Sequence, residues 1–157
     1  MEIEYKYLVD SVQFLDYLED IKSSCNTHDR SITKIQQGYI YNQDGKIVRI
    51  RIENNRAFLT YKEPTDNPII RHEKEQQIGL EIAQKILVLC PKIITKTRYS
   101  FTHPNTQQHM EVDFFHDSDL VLCEIEVDHY LPNQNLIILP WMIKDVSIDP
   151  QYFNCNM

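Results

Sequence analysis

Polar and apolar residues alternate along most of this chain. The opening stretch EIEYKYLV places Glu2, Glu4 and Lys6 at every second position, with Ile3, Tyr5, Tyr7 and Val9 between them. Successive side chains of a strand point to opposite faces, so this stretch has one charged face and one apolar face. The same period recurs over 34–41, 46–53, 57–62, 69–78, 94–101, 109–115 and 120–129, which read as strands. Between them lie QDG at 43–45, ENN at 53–55, EPTDNP at 63–68 and THPNT at 102–106, all rich in turn-forming residues.

Two segments depart from period two. Ser11 precedes VQFLDYLEDI, where Val12, Leu15, Leu18 and Ile21 fall three apart, which predicts a helix capped by Ser11. GLEIAQKILVL (79–89) predicts a second helix, stopped by Pro91. From Leu131 the chain reads as loop, with the lone Trp141 as a packing residue. The expected fold is mainly β (α+β) and antiparallel, one domain over 1–157 with a few helices. Tyr5, Tyr7 and Tyr99 fall on apolar faces and are expected to pack the wall.

The charged faces change this picture. After Glu2, Glu4 and Lys6 come Arg49, Arg51 and Glu53, then Phe58, Thr60 and Lys62, then Arg71, Glu73 and Glu75. Lys96 and Arg98 follow, then Glu111 and Asp113, then Glu124, Glu126 and Asp128. One such strand is ordinarily a solvated sheet face. Here like charges recur at i and i+2 on strand after strand. At about 7 Å, two of them repel by about 2 kcal/mol at an effective dielectric near 20. An open face offers nothing in return. A closed barrel with these faces inward does, if its interior holds a polyanion and a divalent cation; the apolar faces then point outward, partly under helices.

The formal net charge of −7 speaks against general nucleic-acid binding but leaves room for an anion in a local basic pocket. Cys25, Cys90, Cys123 and Cys155 show no CxxC spacing, so neither zinc nor a disulfide framework is indicated. Free thiols suit a reducing compartment. With no signal peptide and no apolar run of transmembrane length, the expected location is the cytoplasm, off the membrane. Paired carboxylates without histidine or cysteine beside them suit hard cations such as Mg²⁺ or Mn²⁺. Converging Arg and Lys suit phosphate oxygens. Together they equip a site for phosphoryl transfer or phosphate hydrolysis.

Glu2-x-Glu4-x-Lys6 resembles the ExExK motif of the CYTH proteins, also called triphosphate tunnel metalloenzymes. QQGYIY (36–41), VRIRI (48–52), FLTYK (58–62), RHEKEQQI (71–78), KTRY (96–99), MEVDFF (110–115) and LCEIEVD (122–128) follow in the family's order, and PWMIKDVSIDPQYFN (140–154) is similar to its closing stretch. The resemblance implies an eight-stranded antiparallel closed β-barrel, the triphosphate tunnel, with a few flanking helices. It implies that Lys6, Arg49, Arg51, Lys62, Lys96 and Arg98 bind phosphate oxygens. It further implies that Glu2, Glu4, Glu73, Glu75, Glu111, Asp113, Glu124 and Glu126 hold Mg²⁺ or Mn²⁺, directly or through water. Lys6 and Tyr39 form a catalytic pair near the scissile bond in this reading, although Tyr41 lies on the same strand face.

The short bacterial type, which the chain resembles most, implies hydrolysis of inorganic tripolyphosphate or a related triphosphate. Adenylate cyclase, thiamine triphosphatase and a non-catalytic polyphosphate-binding module are the alternatives, with a nucleoside or thiamine triphosphate as the substrate of the first two. The family commonly continues past the YFN segment into a C-terminal helix, so ending at Met157 leads one to expect either an open tunnel mouth or an exposed outer wall. His72 and Lys74 beside Glu73, and Ile143 near Trp141, depart from the family's usual residues.

Overall fold

The computed structural model describes residues 1–22, 30–132 and 135–157; Cys25 lies outside them. The order of elements is β1 (Glu2–Val9), α1 (Ser11–Lys22), β2 (Ser31–Gln43), β3 (Lys46–Glu53), β4 (Arg56–Pro64), β5 (Ile70–Ile78), α2 (Leu80–Leu87), β6 (Ile93–Thr102), β7 (His109–Phe115), β8 (Val121–Glu126) and β9 (Met142–Asp145). The first eight strands form one antiparallel sheet in the order β5-β4-β3-β2-β6-β7-β8-β1, and pairing of β5 with β1 closes it. The alternation thus predicted every barrel strand, with ends shifted by a few residues at β2 and β8. No helix among the described residues is long and apolar enough to cross a membrane.

Turn chemistry sets the first hairpins. Asp44 and Gly45 have φ of 52° and 74°, and Asn54 and Asn55 have 49° and 59°. Two successive left-handed residues give the turn whose twist matches that of the flanking strands.

Closure at β1 is shared. Along one edge β1 pairs with β8, from Glu4↔Glu126 to Leu8↔Leu122. Its other edge pairs with β5 only at Glu2↔Arg71 and Ile3↔Ile70. Farther along that edge β9 takes over, at Tyr7↔Asp145, Leu8↔Lys144 and Val9↔Met142. The stretch read as loop from Leu131 therefore contains a strand. Four residues are too few to show a period, and it forms because the exposed edge of β1 has backbone groups to satisfy.

The apolar faces point outward and are covered in two places. Phe14 and Ile21 of α1 join Tyr7, Val9, Phe101, Met110, Val112, Cys123, Ile125 and Trp141 in the main core. Trp141 is 1% exposed and meets Phe14 edge-on at 4.9 Å, a packing residue as expected. Tyr7 is buried there, with Tyr5 and Tyr99 against it. The cap of α1 is Asp10, not Ser11: its Oδ1 accepts from the Gln13 N–H at 3.0 Å and its carbonyl from Phe14 N–H. A carboxylate one residue earlier reaches the free N–H groups of the first turn.

The second helix, α2, lays Ala83 and Leu87 on Ile50 and Ala57. It is shorter than 79–89, ending at the C-cap Val88. Just beyond it, Cys90 presses on β2, where a Cβ on Gly38 would sit 2.7 Å from both its Cβ and its Sγ. Only a glycine leaves room for that contact.

Candidate active site in the barrel interior

Because side chains alternate along each strand, the charged faces of β1 and β3–β8 all turn into the barrel. They line a cavity of about 240 Å³ with Glu2, Glu4, Lys6, Tyr39, Arg49, Arg51, Lys62, Glu73, Glu75, Arg98, Glu111, Glu124 and Glu126 on its wall. Most of the residues singled out in the sequence are thereby brought together. Lys96 and Asp113 are not: both are 0% exposed and pair with each other at 2.5 Å behind the wall.

At one end the inward faces become apolar. Ile94, Phe115, Leu122 and Val146 cluster there with Leu8, Tyr39, Tyr152 and Met157 packed against them. The closing residues fold over this end as two 3₁₀ turns, Pro150–Tyr152 and Asn154–Asn156. Asn42 Nδ2 donates to the Cys155 carbonyl at 2.9 Å, and Phe153 lies 4.8 Å from the Arg71 guanidinium. This segment covers the apolar end of the barrel. Phe153, Asn154 and Cys155 line the cavity, as do Arg71 and Ser147. Sequence reasoning gave these five no role. Arg71 carried a signal, two residues before Glu73 on the same face; the others lie where no alternation points inward.

The charges are extensively paired. Lys6 Nζ lies 3.2 Å from Glu4 and 3.0 Å from Glu124. Burial disfavours its charge, but these two carboxylates outweigh it and raise the ammonium above its usual range. Lys62 bridges Glu2 at 2.5 Å and Glu73 at 2.7 Å. Arg98 pairs with Glu111 and, at 2.7 Å each, with Asp113 and Glu124. Burial opposes ionisation of Asp113 and Glu124. The cations around them still hold both below the normal carboxylate range, Lys96 and Arg98 for Asp113 and Lys6 and Arg98 for Glu124. Burial pulls Lys96 down to about 8 despite Asp113 beside it.

Two features point beyond internal pairing. Arg49 donates from Nη2 to Thr60 at 3.1 Å, while its buried Nε has no hydrogen-bond partner. A guanidinium N–H so placed suits an anion's oxygen. Meanwhile burial and Glu124 push Glu4 up, and burial with Glu2, Glu4 and Glu73 pushes Glu126 up. Carboxylates that repel one another around one cavity suit a hard divalent cation, and the donors are oxygens alone. Among the described residues no three His, Cys, Asp or Glu side chains already converge as a ligand set; Glu2, Glu4 and Glu73 lean on lysines.

Tyr39 rather than Tyr41 faces the cavity. Opposite β3, Tyr39 pairs with Arg49 and Tyr41 with Val48, a register shift that leaves Ile40 as an extra residue. This bulge turns Tyr41 outward, where it is 42% exposed.

A closed antiparallel sheet with its charges inside defines a class of barrel whose binding chamber is its own interior. The CYTH domain family model matches residues 1–138. The chain is 35% identical over 126 residues to the inorganic triphosphatase of Acetivibrio thermocellus, covering 78% of each chain. It is 31% identical over 124 residues to that of Nitrosomonas europaea, covering 76% of this chain and 80% of that one. A solved structure of an inorganic triphosphatase, 27% identical, superposes with a TM-score of 0.64 over 99% of this chain and 93% of its own. The protein belongs to the CYTH domain family.

Proposed function

We propose that this protein hydrolyses inorganic tripolyphosphate or a related triphosphate inside the barrel, with Mg²⁺ or Mn²⁺ bound by Glu2, Glu4, Glu73, Glu75, Glu111, Glu124 and Glu126. The observation that carries this reading is the meeting of Lys6, Arg49, Arg51, Lys62 and Arg98 with that acid set around one cavity. A polyanion alone would need the cations but not the acids. The two similar bacterial proteins, both named inorganic triphosphatases, support the same substrate class. Residues 142–157 complete the β1 edge and cover the apolar end, which supports reading the whole chain as one domain.

The side chains suggest a division of labour. Arg49 and Arg51 grip non-bridging oxygens, Arg49 through its free Nε. Lys6, its acidity weakened by Glu4 and Glu124, stays an ammonium and donates hydrogen bonds to the oxygen that leaves. Burial pushes Tyr39 up to about 12, so it remains a phenol and acts as a donor. Bound metal would neutralise phosphate charge and acidify the attacking water. In the reaction, water oxygen bonds to the terminal phosphorus, the bridging P–O bond breaks, and a water proton passes to solvent or product. The aromatic residues on the wall, Tyr39 and Phe153, are engaged by Gln37 and Arg71. That favours a bare polyanion over a nucleobase or thiamine.

The test is phosphate release from tripolyphosphate, ATP and thiamine triphosphate with Mg²⁺ or Mn²⁺, read also for cyclic AMP and thiamine diphosphate. Fastest release from tripolyphosphate is expected. No release across a pH series would overturn the reading, and tight binding without turnover would leave a polyphosphate-binding module.

A further inference from the structure

Behind the cavity wall lies Gln37, a residue of the QQGYIY stretch to which the sequence alone assigns no role. Gln37 is 0% exposed. It stands on β2 two residues before Tyr39, on the same face, and directly opposite Arg51. Its Oε1 accepts from Arg51 Nε at 3.3 Å and from Nη2 at 3.2 Å. Its Nε2 donates to the Tyr39 hydroxyl oxygen at 2.8 Å. A guanidinium carries donors only, so the amide has one consistent orientation: oxygen toward Arg51, NH₂ toward Tyr39.

This orientation decides what the phenol can do. Its oxygen is an acceptor toward Gln37, so its own proton must point elsewhere. The groups whose charge acts on Tyr39 are Arg49, Cys155, Arg51 and Lys6; the three cations cannot accept a hydrogen bond, and the cysteine sulfur accepts only a weak one. An anionic oxygen entering the cavity accepts a strong one.

We propose that Gln37 is a positioning residue of the triphosphate site: it anchors the Arg51 fork and turns the Tyr39 hydroxyl proton toward an oxygen of the bound triphosphate. This rests on the function proposed above. No proton changes hands; Tyr39 donates a hydrogen bond and keeps its proton. Pre-orientation of a donor and a cation in the empty site removes an ordering cost from binding.

A double-mutant cycle tests it. Gln37→Glu keeps the size and the acceptor for Arg51, but replaces the NH₂ by a second acceptor that draws the phenol proton back. Its added charge weakens anion binding in both backgrounds and cancels in the cycle. The readout is the calorimetric affinity for a non-hydrolysable methylene-bridged tripolyphosphate at fixed Mg²⁺. Gln37→Glu should lose at least about fivefold more affinity in the wild-type background than in the Tyr39→Phe background. Losses that agree more closely than that would overturn the proposal. If Gln37→Glu fails to fold by urea denaturation, the cycle is run with Gln37→Met, which is neutral and removes both hydrogen bonds, under the same criterion. Coupling without phosphate release would overturn hydrolysis and leave Gln37 its role. Hydrolysis without coupling would do the reverse, and a wild type that fails to bind the analogue would overturn both.

Discussion

Asp113 is the carboxylate whose sequence assignment and structural setting differ most, and one substitution separates them. The side chain is fully buried. It accepts from Lys96 Nζ at 2.5 Å and from Arg98 Nε and Nη2 at 2.7 Å each. Asp113→Asn keeps the shape and removes the charge. Arg98 still has Glu111 and Glu124, whereas Asp113 is the acid in salt-bridge contact with Lys96 among the described residues. Breaking one half of a buried pair costs about 3–5 kcal/mol, because the amine left behind must either stay charged without a partner or give up its proton in the interior. For a chain of this size each kcal/mol lowers Tm by about 2–4 °C, so a fall of about 6–20 °C is expected. Urea and calorimetric unfolding of metal-free protein measure it. Adding Lys96→Met removes the stranded amine and should recover most of the loss. A cost below about 1 kcal/mol, or lost Mg²⁺ affinity at unchanged stability, would refute the reasoning and return Asp113 to the metal ligands.

Three further outcomes are expected. Glu126→Ala should raise the Mg²⁺ or Mn²⁺ concentration needed for half-maximal turnover by about tenfold, since it removes one of the acids that repel one another around the cavity; an unchanged requirement in a metal titration would count against its role. Stability of metal-free protein should rise slightly as pH falls from neutral toward the ordinary carboxylate range, and fall again once pH drops below that range. Glu4 and Glu126, raised chiefly by burial, cost stability while ionised, and that cost fades as pH falls through their folded pKa; Asp113 and Glu124, held low by cations, lose their contribution as pH falls through theirs. A monotonic fall in the urea midpoint from pH 7 would contradict this. Gly38→Ala should cost about 1–3 kcal/mol by forcing its new Cβ against Cys90, and a urea midpoint within error of wild type would show that Cys90 gives way.

The pattern of alternation by itself determined the barrel strands and which face of each turns inward. Side-chain direction in a strand is a matter of parity, and parity is written locally: Glu4 and Lys6 must share a face, with Tyr5 and Tyr7 on the other. Like-signed pairs then made an enclosed interior a better home for those faces than open solvent. What parity leaves out is depth along the barrel and any break in register. Lys96 and Arg98 have the same parity, yet Arg98 lines the cavity and Lys96 is sealed behind it with Asp113, because Lys96 stands one repeat nearer the apolar end, opposite Phe115. Tyr39 and Tyr41 share parity until the bulge at Ile40 turns Tyr41 away. The strand at 142–145 and the turns of 150–156 owe their positions to an unfilled β1 edge and an apolar barrel end. Those are demands made by distant parts of the chain, and only the assembled barrel expresses them.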